Sequence, residues 1–100
     1  MSYKNLTTNE LKVLMKDTKK VLLIDIRDKD EFEESSIENA INMPLQEILY
    51  NIDELREHND KSIVIYCSSG KRSITACNLL SMEGIDNLYN LENGIKGYIK

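Results

Sequence analysis

Apolar residues fall along this chain in two rhythms. Val21-Leu22-Leu23-Ile24-Asp25 and Ser62-Ile63-Val64-Ile65-Tyr66 are short, almost unbroken apolar runs. That pattern predicts strands buried on both faces of a parallel sheet, where neither side of the pleat meets water. Elsewhere the spacing is helical. Leu11, Leu14 and Met15 follow Thr7-Thr8-Asn9-Glu10, which has the form of a capping box, and predict a helix over 8–16. Leu45, Ile48, Leu49, Ile52 and Leu55 share one face of a helix over 45–55, with the only proline, Pro44, placed to start it. Ile74, Cys77, Leu79, Leu80 and Met82 predict another helix, stopped by Gly84 as a left-handed cap. Shorter pieces fill the gaps: a charged helix over 28–33, a strand at Ala40-Ile41-Asn42, and a last strand at Leu88-Tyr89-Asn90-Leu91. A terminal helical turn over 94–99 would face the core with Ile95, Tyr98 and Ile99. Strands alternating with helices predict an α/β fold.

Length and composition narrow the picture. A chain of 100 residues holds one hydrophobic core and not two, so residues 1–100 are expected to form a single domain. At 41% apolar and 30% charged residues it has a globular balance, without the signature of disorder. A net charge of −4 opposes nucleic acid and anionic membrane as general partners, so any anion site must be local. Met1-Ser2-Tyr3-Lys4-Asn5 carries no signal-like apolar core, and Val21 to Ile24 is too short to span a bilayer, so a cytoplasmic location is expected. The 2 cysteines, Cys67 and Cys77, form no CxxC and no Cys/His cluster, which predicts free thiols and neither metal nor cofactor.

The chemistry concentrates after the second apolar run. Ile65-Tyr66 delivers Cys67 to the carboxyl end of a buried strand, and Ser68-Ser69-Gly70-Lys71-Arg72-Ser73 leads from it into a helix. Open α/β sheets bind ligands at that edge. Small, polar and basic residues let the backbone N–H groups curl into a nest that favours negative charge, and the positive end of the helix points at the same spot. Both favour a thiolate over a thiol of ordinary pKa, roughly 8.5. The only histidine, His58, sits in a polar stretch before the strand and reads as a surface residue, so Cys67 is expected to act without a partner base. Cys77 lies on an apolar helical stripe and reads as core. Asp25 also ends a buried strand, but a carboxylate would oppose the thiolate. It is expected to cap or to accept backbone N–H bonds, with Arg27 and Glu31 spaced for an i,i+4 pair.

At this loop the chain resembles the rhodanese family, in which a cysteine precedes small or basic residues and then Gly-x-Arg-Ser at a helix start. The resemblance extends to Ile24-Asp25-Ile26-Arg27, Glu31-Phe32, Ala40-Ile41-Asn42-Met43-Pro44, and Gly84-Ile85-Asp86-Asn87-Leu88 through Gly94-Ile95. Several motifs in the right order cover nearly the whole chain. Departures are Ser35-Ser36-Ile37 in place of Gly-His-Ile, Asn39 and Asn93 in place of glycines, and Tyr98 where tryptophan is frequent. The resemblance implies a central parallel five-stranded sheet flanked by helices. It also implies a ping-pong sulfurtransferase, in which Cys67 takes sulfane sulfur from a small anionic donor such as thiosulfate, or from a persulfide. The sulfur then passes to a thiol, cyanide or a protein acceptor. Backbone N–H groups of residues 68–73 would hold the persulfide, Arg72 would grip the anionic donor, and Lys71 would either attract it or point to solvent.

Two other classes compete. A non-catalytic binding module would not need Cys67 and its basic loop. Cysteine phosphatases and arsenate reductases place five residues between cysteine and arginine, which suits a tetrahedral oxyanion. Here 4 residues separate Cys67 from Arg72, and the tighter loop suits a single sulfur atom.

Overall fold

The structure, a computed structural model, describes residues 3–99. The chain runs β1 (Tyr3–Leu6), α1 (Thr8–Leu14), β2 (Val21–Asp25), α2 (Lys29–Glu34), β3 (Ile41–Asn42), α3 (Ile52–Arg56), β4 (Ser62–Tyr66), α4 (Arg72–Met82), β5 (Leu88–Leu91) and α5 (Gly94–Tyr98). Short 3-10 segments occupy Thr18–Lys20 and Leu45–Asn51. All strand pairs are parallel, in the order β1-β5-β4-β2-β3, with helices on both faces.

The two apolar runs become β2 and β4, paired in the centre of the sheet from Val21 opposite Ser62 to Asp25 opposite Tyr66. Their successive side chains point to opposite faces and bury there. Ile24, Ile63 and Ile65 pack with Ile48, Leu55, Ala76, Cys77 and Leu80 on the α3/α4 side. Leu23, Val64 and Tyr66 pack with Leu11 and Ile95 on the α1/α5 side. The capping box of α1 forms as expected: Glu10 N–H donates to Thr7 Oγ1 at 3.1 Å, and Thr7 N–H donates to Glu10 Oε1 at 2.9 Å.

Five details differ from the expected pattern. The sheet has an edge strand, β1, that the apolar pattern does not mark, and α1 ends at Leu14 rather than at residue 16. Over 45–55 the chain makes a 3-10 segment before α3. Leu45 and Ile48 eclipse at the three-residue period, leaving Leu49 46% exposed until α-helical geometry resumes at Ile52. In α4 the buried positions are Ser73, Ala76, Cys77 and Leu80, so Met82 is exposed and Ile74 lies at the surface. Ile99 is exposed past the end of α5, while Ile95 is buried. Asn39, which stands where the resembled pattern has glycine, adopts φ 72°, a left-handed conformation that asparagine tolerates better than most side chains.

Candidate active site

Cys67 follows β4 directly, so its sulfur is delivered to the carboxyl edge of the central strand. The loop that begins there is held from the far side of the sheet. Ile95 N–H donates to Cys67 O at 2.9 Å and Lys96 N–H donates to Ser68 O at 3.1 Å, tying two loop carbonyls to the first turn of α5. With these carbonyls engaged, N–H groups further round the loop converge on the sulfur: Gly70 at 3.2 Å and Ser73 at 3.4 Å from Sγ. Ser73 Oγ lies 3.4 Å from the same atom. Two glycines allow this closure. Gly70 has φ 92°, and a Cβ there would stand 2.1 Å from the carbonyl oxygen of Glu92. At Gly94, with φ 60°, a Cβ would stand 2.5 Å from Cys67 O.

Cys67 is 1% exposed. Burial alone would raise its pKa, but the Ser73 hydroxyl and the N–H groups of Ser73, Ser69 and Gly70 outweigh burial and hold the thiol below its ordinary value. Cys77 has no such donors. Burial, with the charge of Cys67 adding to it, pushes that thiol up to about 12. Of the two free thiols, Cys67 is the one held toward its thiolate. His58 precedes β4 whereas Cys67 follows it, and the 5 residues of the strand separate them by roughly 16 Å of extended chain. Its carbonyl accepts from Asn87 Nδ2.

The basic residues are distributed differently from the expected pattern. Arg72 faces Glu31, with Nη1 and Nη2 each 3.4 Å from a carboxylate oxygen, and Nη2 also donates to Ser68 Oγ at 3.3 Å. Burial works against the Glu31 carboxylate, but Arg72 and the Asp28 N–H together lower its pKa. Glu31 is therefore the partner of Arg72 and not of Arg27. Arg27 instead lies two residues beyond Asp25, in the bend that follows β2. Its Nη2 meets Asp25 Oδ2 at 2.8 Å, its own N–H donates to Asp25 Oδ1 at 2.9 Å, and Nη2 also donates to Ser35 O. Asp25 thus accepts a backbone N–H as expected, within a buried ion pair. Lys71 and Ser69 are exposed and Ser68 is half-buried. Ser69 borders an open polar groove with Thr8, Asn93, Lys96 and Gly97, beside the sulfur loop.

Asn90, on β5, is absent from the residues singled out in the sequence. Ser73 Oγ donates to its Oδ1, and its Nδ2 donates to Asn5 Oδ1 at 3.1 Å and to Gly70 O at 3.4 Å. A signal was present: Asn90 shares the pleat face of Leu88, and a polar residue in a buried strand requires partners.

Among the described residues no group of His, Cys, Asp and Glu could hold a metal ion, and no helix is long and apolar enough to cross a membrane. Comparison with known proteins gives a consistent family. The chain is 39% identical over 79 residues to a sulfurtransferase of Allochromatium vinosum, covering 79% of this chain and 72% of that protein. It is 31% identical over 99 residues to a tRNA uridine(34) hydroxylase of Hamiltonella defensa, covering 95% of this chain but only 28% of that larger protein. The fold superposes on the crystal structure of a rhodanese-like domain protein from Staphylococcus aureus with TM-score 0.85 and 30% identity, covering 95% of this chain and 90% of the other. The family model of the rhodanese-like domain matches residues 7–100, and the chain belongs to the rhodanese-like domain family.

Proposed function

We propose that this chain is a sulfurtransferase that carries sulfane sulfur as a persulfide on Cys67, with residues 1–100 acting as one unit. One observation carries this reading: the Cys67 sulfur is met by Gly70 N–H, Ser73 N–H and the Ser73 hydroxyl, which together favour its thiolate despite burial. The thiolate attacks the outer sulfur of thiosulfate, the S–S bond to the sulfonate breaks, and sulfite leaves with the electron pair. The product is Cys–S–S⁻, whose charge the same N–H groups are placed to hold. Attack by cyanide or a thiol on the outer sulfur returns the Cys67 thiolate and completes the cycle. A protein acceptor would reach the same sulfur over the polar groove beside Ser69. A reduced thiol of this kind suits the cytoplasm.

Arg72 is already paired with Glu31, so an anionic donor must share or displace that carboxylate. The loop closes on one sulfur atom with 4 residues between Cys67 and Arg72, which favours sulfur over phosphoryl chemistry.

Intact mass after incubation with thiosulfate is expected to show one added sulfur, removed by reductant and mapped by proteolysis to the Cys67 peptide. Cys77→Ala should gain it equally. A folded, reduced protein that takes no sulfur from thiosulfate or a persulfide would sink the proposal. The pH dependence has a definite sign. Because the Cys67 thiol is lowered, loading should stay near its maximum below the ordinary thiol range of roughly 8.5 and decline only as pH falls through the lowered value.

A further inference from the structure

The Cys67 sulfur ends a chain of polar contacts that begins at an edge strand of the sheet, at the exposed Asn5 of β1, and runs inward through β5. Asn90 is its central member and is 1% exposed. Its amide nitrogen lies against Gly70 O and Asn5 Oδ1, and its amide oxygen lies against Ser73 Oγ. A backbone carbonyl only accepts, so the nitrogen must face Gly70 and the oxygen must face Ser73. An amide oxygen also only accepts, and a serine hydroxyl has a single proton. With its proton directed at Asn90, Ser73 presents a lone pair to Sγ at 3.4 Å. That arrangement suits a thiol, whose S–H donates to Ser73 Oγ. A thiolate needs donors only, and the hydroxyl must then turn from Asn90 toward the sulfur.

We propose that Asn90 is a positioning residue that acts on Cys67 through Ser73, holding the hydroxyl proton away from the sulfur until the thiol ionises. In the step itself the S–H bond breaks, the proton passes to water or buffer, and the Ser73 hydroxyl exchanges its bond to Asn90 Oδ1 for one to the thiolate. Asn90 thereby sets how much thiolate is present at a given pH, without touching the reacting atoms. This role rests on Cys67 as the reactive thiol proposed above.

The test is the rate of Cys67 alkylation by iodoacetamide against pH, with the modified peptide identified by mass, in wild type, Asn90→Ala, Ser73→Ala and the double variant. Asn90→Ala releases the hydroxyl and is expected to move the midpoint down by about one pH unit, the worth of one neutral hydrogen bond. Ser73→Ala removes the donor and should move it up, and the double variant should match Ser73→Ala alone. An Asn90→Ala midpoint that stays or rises in folded protein, or a shift that persists without Ser73, would overturn the role. Should Asn90→Ala fail to fold, Ser73→Ala decides, since alanine suits a helix. An upward midpoint supports the turning hydroxyl, whereas a downward or unmoved one overturns it, because a serine that only accepts would stabilise the thiol. If wild-type Cys67 alkylates no faster than Cys67 in unfolded protein, the reactive-thiol proposal itself fails. A normal wild-type profile with an unmoved Asn90→Ala midpoint overturns only the role of Asn90.

Discussion

Asp25→Ala is expected to destabilise the fold by about 3–5 kcal/mol, because removing one partner of a buried ion pair leaves the other charge without compensation. Asp25 is fully buried and Arg27 is 6% exposed. The carboxylate accepts from Arg27 Nε and Nη2 as well as from the Arg27 backbone N–H. After the substitution the guanidinium keeps only Ser35 O among these partners. Urea denaturation should show a lower midpoint with an unchanged slope. Asp25→Ala combined with Arg27→Met removes both charges and should recover most of the loss. A double variant no more stable than the single would show that the charge is not what destabilises. The effect also bears on the sulfur loop, because Ile26 N–H donates at 3.0 Å to Tyr66 O, the carbonyl immediately before Cys67.

Gly70→Ala is expected to slow sulfur loading about 100-fold while the fold persists, the size of effect seen when one preorganised N–H donor is lost from an anion site. The added Cβ would fall 2.1 Å from Glu92 O, and that oxygen belongs to backbone, so the loop must move and take the Gly70 N–H off the sulfur. Gly84→Ala is the matched control. Gly84 has φ 88°, and nothing lies within 4 Å of its added Cβ. It should therefore lose only the left-handed conformational preference, about 1–2 kcal/mol, and load sulfur at the wild-type rate. Equal loading rates in the two variants would show that loop closure at Gly70 does not govern the chemistry.

β2 and β4 are legible in the sequence because a strand buried on both faces has to be apolar throughout, and Cys67 is legible because it follows such a strand and precedes glycine and a helix start. β1 is not legible. Tyr3-Lys4-Asn5-Leu6 is mostly exposed and owes its strand geometry to pairing with β5, from Tyr3 opposite Leu88 to Leu6 opposite Leu91. The partner of Arg72 also escapes local spacing, since Glu31 lies 41 positions away. Spacing along one helix suggests Arg27 for Glu31, but the buried carboxylate of Asp25 makes the stronger demand on that guanidinium. Asn90 marks the same limit: its polarity within a strand signals a need for partners, but only the sheet order brings Ser73 and Asn5 to it.

The contacts that shape the sulfur site come from far along the chain. Ile95 and Lys96 hold the carbonyls of Cys67 and Ser68, and Asn90 reaches Asn5 across a separation of 85 positions. In kinetic terms the activated sulfur is a late product of folding, since parallel pairing over such separations must close long loops before any contact rewards it. A chain still folding, or locally opened at β5 and α5, carries Cys67 as an ordinary thiol of pKa roughly 8.5, protonated for the most part at neutral pH. The proposed sulfur transfer would thereby be favoured in molecules that have completed their fold.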